Sequence, residues 1–200
     1  MEKSNIEILK DFAKSTNRSI VVKEIPYPLT GIRTFQKYKR MIYIPYDSEN
    51  KSFFIWFSDP YTKIGVPTVF CGAFIPIPSN IKSKINIRNK NILDKVDVFS
   101  STKSNKIGND SFDSKVIISD DLDSSAKRLL LQSRIQKNIL KALEFEKFMI
   151  ISINEHNIDF VPEFKDVSYL AIINPQSWTL ERKDIEKIFN QIEKIRMLIN

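Results

Sequence analysis

The chain has 200 residues, 42% of them hydrophobic, enough to bury a sizeable core in one large domain or two small ones, and no apolar run approaches the roughly 20 residues needed to cross a bilayer. A single cysteine, Cys71, excludes an internal disulfide and a cysteine-rich zinc site, and four scattered glycines exclude the phosphate-cradling loops of nucleotide-binding folds. The net charge of +7 lies wholly in residues 1–100, which hold 16 Lys and Arg against 9 Asp and Glu, while residues 101–200 hold 15 of each; a one-sided positive surface attracts polyanions.

The opening residues are amphipathic and mixed in charge, unlike a signal peptide, so a soluble, cytoplasmic protein is expected. Ile6, Leu9, Phe12 and Ala13 recur at three- and four-residue steps and predict a helix over about 5–14. "SIVVKEI" reads as a strand, broken by Pro28 and Gly31 in "YPLTG". "KRMIYIPY" and "KSFFIWF", joined by "DSEN", predict a hairpin. Further strands are expected at "VPTVFCGAFIPI" and at "SKINIRN", where Lys84, Asn86 and Arg88 alternate with Ile85 and Ile87. Residues 100–111 form the most loop-like stretch and the only candidate sub-boundary within a single domain spanning 1–200. Beyond it come a strand at "SKVIIS", one helix from about Asp121 to Glu144, a hairpin of "KFMIISI" and "NIDFV" around "NEHN", a strand at "SYLAII" and a helix over about 180–198. Tight turns between consecutive strands point to the α+β class, with a curved antiparallel sheet, or two sheets, covered by about three helices.

Asp120, Asp121 and Asp123 crowd the point where a strand hands over to a helix. Helix N-termini carry unpaired N–H groups and partial positive charge, so Asp120 or Asp121 as N-cap with Asp123 in the first turn accounts for all three. A Mg²⁺ or Ca²⁺ site there requires further oxygen donors from elsewhere in the chain. Asp159, Glu163 and Lys165 mimic a nuclease motif, but on one strand the carboxylates would stand about 13 Å apart, too far for one ion. His156, the only histidine, is expected as an exposed residue of the "NEHN" turn. With no second histidine and no G-x-S-x-G elbow, neither a zinc site nor a serine hydrolase is indicated, and no cofactor is implied.

"FCGAFIPIP" (70–78), "DSFDSKVIISDD" (110–121), "SAKRLLL" (125–131) and "MIISINEHNIDF" (149–160) occur in an order that resembles a bacterial family, the domain of unknown function numbered 3137, over roughly residues 65–172. Phe70, Gly72, Phe74, Phe112, Asp113, Ser119, Asp120, Ala126 and Leu130 occupy the matching positions. The family often breaks its helix after the leucines with a threonine-proline pair, where this chain has Leu131 and Gln132. Its members often carry N-terminal membrane segments, which these residues lack. The resemblance implies a shared domain and no activity.

Residues 27–74 hold 12 of the 22 aromatic residues, and both faces of "SFFIWF" are apolar. Such a strand is covered on both sides or offers one face to a partner. Arg33, Tyr38, Arg40, Tyr43 and Trp56 are the candidate surface, and the expected function is a non-enzymatic binding module for a protein or apolar ligand. A nucleic-acid binder, with those basic residues on phosphates and tyrosines on bases, is the first alternative. A metal-dependent enzyme using the three aspartates is the second.

Overall fold

The computed structural model describes residues 4–29, 36–49, 51–61, 68–78, 80–91, 105–119, 121–146, 148–175 and 181–199. Arg33 and Asp120 lie outside the described residues, as do Gly31 and residues 100–104 of the expected loop.

Helix α1 (Asn5–Ser15) begins at a reciprocal cap: Glu7 N–H donates to Ser4 Oγ, and Ser4 N–H donates back to Glu7 Oε2 at 2.7 Å. Strands β1 (Val21–Pro26), β2 (Tyr38–Pro45), β3 (Phe53–Asp59) and β4 (Thr68–Pro76) follow, then β5 (Ile85–Asn89). After them come α2 (Asp110–Asp113), β6 (Val116–Ser119), α3 (Ser124–Leu130), α4 (Ser133–Leu143), β7 (Ile150–Ile153), β8 (Tyr169–Asn174) and α5 (Arg182–Ile199). The eight strands form one antiparallel sheet in the order β1-β2-β3-β4-β8-β7-β5-β6, so strands from both sides of residues 100–111 share it. The α+β class holds, with five α-helices among the described residues where about three were expected. No helix of the described residues is long and apolar enough to cross a membrane.

One of the two extra helices comes from an interruption. The helix expected over 121–144 stops at Leu130 and restarts at Ser133, with Gln132 extended between. No proline is needed, because buried Gln136 satisfies the cut end: its Nε2 donates to Leu130 O at 2.8 Å, and its Oε1 accepts from Asn109 Nδ2 at 2.6 Å. The other, α2, begins inside the stretch read as loop.

"NIDFV" is not a strand. Val161 N–H donates to Ile158 O and Phe164 N–H to Val161 O, leading into a 3₁₀ turn over Pro162–Phe164. The three-residue spacing turns Ile158, Val161 and Phe164 onto the sheet face away from the helices. There they meet Met41, Phe53, Ile55, Phe57, Phe70 and Phe74. Phe54 and Trp56 point the other way, into the larger core built with α1 and α5. Both faces of β3 are therefore covered.

His156 belongs to this second core and not to an exposed turn. Its ring stacks on Phe70 with centroids 4.3 Å apart, and the Tyr169 hydroxyl accepts from its backbone N–H while donating to its carbonyl. Burial drives the imidazole pKa down to about 4.

β1 is an outer strand with one side unpaired among the described residues, and Val21 and Ile25 are 41% and 42% exposed. Tyr27 N–H donates to Lys37 O, continuing the β1–β2 ladder. By alternation, Val21, Lys23 and Ile25 turn their amides to β2, and Val22, Glu24 and Pro26 turn theirs outward. A proline is tolerated at such an outward position because no ladder bond is lost.

Two outcomes are expected. A Cβ at Gly72 would stand 2.1 Å from the Ile172 carbonyl oxygen and 2.7 Å from Ile173 Cα. Gly72→Ala therefore costs about 3 kcal/mol or more in urea unfolding; a loss under about 1 kcal/mol contradicts the close approach. For His156, the folded pKa lies below the ordinary 6.5, so its contribution to stability is complete above 6.5 and is lost as pH falls towards 4. His156→Phe keeps the ring stack without the proton site, and its stability should decline less across that window, by on the order of 3 kcal/mol. Parallel curves for the two proteins refute it.

Candidate anion-binding cleft

A cleft of about 740 Å³ opens where the end of β5 and the start of β6 face α4. Its β wall carries Lys90 and Lys115, and its helical wall carries Lys137 and Lys141. Asn89, Ser114 and half-buried Leu140 lie between them, and Glu144 is the only carboxylate in the lining among the described residues.

Hydrogen bonds frame this opening. Asn89 Nδ2 donates to Leu143 O at 2.9 Å and ties β5 to the end of α4. The buried Asp113 carboxylate accepts from the backbone N–H groups of Ile107, Gly108 and Asn109, with Gly108 in the left-handed region at φ 95°. Phe112 anchors the same loop in the core. Lys90 Nζ donates to Asp113 O at 3.0 Å, so one ammonium is held at the rim.

The lysines stand in two unfavourable pairs. Lys90 N–H donates to Lys115 O, extending the β5–β6 ladder by one step and placing the two residues directly opposite. Lys137 and Lys141 are one turn apart on α4. Like charges opposite across strands, or at i and i+4 on a helix, each cost a few tenths of a kcal/mol. The Lys115, Lys137 and Lys141 ammonium groups make no hydrogen bond or ion pair with a described residue. Lys141 alone is accounted for by its place in the last helical turn, where the carbonyl ends attract cations.

In two other openings several polar groups are already paired within the protein. In a cleft of about 710 Å³ beside Tyr46, Arg18 donates to Glu186 at 2.6 Å and to Tyr46 O at 2.8 Å, and its guanidinium lies over the Phe12, Tyr46 and Phe189 rings. In one of about 340 Å³ beside His156, Asn154 bonds Ile81 O and Tyr169 N–H, and Ser168 Oγ donates to Ile81 O.

The expected aromatic and basic surface is not assembled. Trp56 is 6% exposed in the main core, which removes it from any partner surface. Arg40 pairs with Glu24 at 2.8 Å and lies over the Tyr38 ring at 5.6 Å. Tyr43 is on the opposite face against Phe53, and burial, then the Glu163 carboxylate, raise its pKa. The strand spacing invoked for Asp159 and Glu163 does not apply either, since the 3₁₀ turn lies between β7 and β8 in place of a strand.

The helix cap is Asp123, not Asp120 or Asp121. One carboxylate oxygen of Asp123 accepts from Ala126 N–H at 2.8 Å, and the other from Lys82 and Ser83 N–H at 2.7 and 3.0 Å. Desolvation opposes ionisation, but these amides outweigh it and hold the pKa at about 2. Asp121 is exposed.

Sequence reasoning missed Lys90, Lys115, Lys137 and Lys141. Only the Lys137/Lys141 spacing was visible as a signal, because no acidic residue stands four positions from either.

No family model, curated protein or solved structure matches the chain. The resemblance described above rests on its residues alone.

Asp123→Ala removes both the cap and the clamp on residues 82–83, and about 1–2 kcal/mol of stability should be lost at neutral pH. Because the folded pKa lies below the ordinary 3.8, the wild-type advantage is complete above 3.8 and disappears as pH falls towards 2. Urea midpoints of both proteins across this range check it, and a difference that persists at the acid end refutes it.

Proposed function

We propose that the chain is a binding module for an anionic ligand, held in the lysine cleft. The observation that carries this reading is the convergence of four lysines, from three separate stretches of chain, around one opening with a single carboxylate among the described residues. Such an arrangement costs stability in the empty protein, and an anion between the walls relieves both like-charge pairs at once. The reading keeps the expected binding role and moves it from the aromatic N-terminal half to a site built mostly from the charge-balanced half. A polyanion, nucleic acid included, is compatible with these walls; an apolar partner is not.

Membership in the family of unknown function numbered 3137 is also proposed. It is supported by the order of the four motifs and by a helix break after Leu130, where that family breaks its own. A cytoplasmic location is proposed on the buried single cysteine, Cys71.

The test is titration at low and moderate salt with tripolyphosphate and with single-stranded DNA. At least one should bind, more weakly as salt rises, and Lys137→Ala/Lys141→Ala should lose about tenfold or more in affinity. If DNA is the ligand, losing two lysines should flatten its log–log salt dependence by about 1.4. Lys10→Ala/Lys23→Ala removes equal charge elsewhere and should bind as wild type does. Failure of both anions to bind, or equal loss in the two variants, overturns the reading.

A further inference from the structure

Resting on the anion-binding reading, we infer that the ligand is a compact molecule carrying two or more phosphate groups on a hydroxyl-bearing scaffold. Two walls, each with a pair of ammonium groups, face each other across one cleft. An open cleft with ammonium groups on both walls suits a ligand with charge at both ends. The volume, about 740 Å³, lies in the range of small-molecule sites.

The lining narrows the chemistry further. Among the described residues the cationic lining consists of four lysines, which bind phosphate as point charges. Among the described residues it contains no aromatic side chain on which a base could stack, and stacking is what holds single-stranded nucleic acid in a groove. Glu144 is out of place in a purely anionic site. Ionised, it can only accept hydrogen bonds, and scaffold hydroxyls supply the donors while the lysines offset its charge. Leu140 gives the carbon skeleton an apolar floor.

Isothermal titration of the whole chain with a hexose bisphosphate, a hexose monophosphate, tripolyphosphate, and short and long single-stranded oligonucleotides separates the possibilities. The inference expects one bisphosphate per chain, the monophosphate weaker by about tenfold or more, and losses of that size in Lys137→Ala/Lys141→Ala and in Lys115→Ala. Glu144→Gln should weaken the hexose bisphosphate and leave or strengthen tripolyphosphate, which has no hydroxyl on a carbon scaffold. These lysines and Glu144 are exposed, and circular dichroism verifies that each variant is folded. Binding of oligonucleotides that tightens with length, without bisphosphate binding, overturns this inference and leaves the anion-binding reading standing. Binding of tripolyphosphate alone, or unaltered bisphosphate affinity in Glu144→Gln, overturns the hydroxylated scaffold. No binding of any probe overturns both readings.

Discussion

The pairing of β4 with β8 is the contact on which the molecule depends. β4 ends the meander that begins at β1, and β8 lies far along the chain beside β7, so this seam alone joins the first four strands of the sheet to the last four. Near one end of the seam stands Gly72, where the backbone of β8 comes within reach of the missing side chain. Both cores cross the seam, one through Ala73 and Ile172 on the helical face, the other through Phe74 and Ala171 on the opposite face. Closing so long a loop costs entropy before it returns any contact, and burial on two faces at once offsets that cost, at about 1.5–3 kcal/mol for each large apolar side chain. From β8 the order runs through β7 to β5 and β6, and so places the rim of β5 against α4, where the cleft forms.

The aromatic density of the N-terminal half is a demand of sheet thickness and not of recognition. A central strand flanked on both faces needs bulk at every position, and Phe53 to Phe57 supply it alternately to two cores. What covers the second face is not a helix but the short segment around Ile158, Val161 and Phe164, which reaches inward once per turn of 3₁₀ backbone. Phe164 lies 5.3 Å from Phe53 and 6.0 Å from Tyr169 between ring centroids, so a few aromatic contacts do the work of a layer.

Elements whose apolar spacing matched one period were legible. α1 and α5 follow the 3.6-residue repeat, and β2 over Met41–Pro45 and β3 over Phe53–Phe57 are apolar runs joined by turn residues. Misreadings arose where a tertiary partner supplied what local signals could not. The break between α3 and α4 is stabilised by Gln136, a polar residue inside an otherwise helical pattern whose partner, Asn109, comes from a different stretch of chain. The segment after β7 offers Ile158 and Phe160 at a strand's two-residue spacing and Ile158, Val161 and Phe164 at the three-residue spacing of a 3₁₀ turn, so the two patterns overlap up to Pro162. The cleft was invisible for a further reason. Counting charge by halves put the excess before residue 100, whereas three of the four lysines come from the balanced half and meet Lys90 only through the order of the strands.

The outward amides of β1 also bear on how molecules meet. Two-fold antiparallel pairing of that rim sets outward residue against outward residue, so the oppositely charged match of Lys23 with Glu24 is barred by the pleat. The two registers of greatest remaining overlap centre on Lys23 or on Glu24, and each sets like against like, while Pro26 offers no hydrogen to donate. An apolar rim that would otherwise template ribbon growth from molecule to molecule is thus kept unattractive to its own copy.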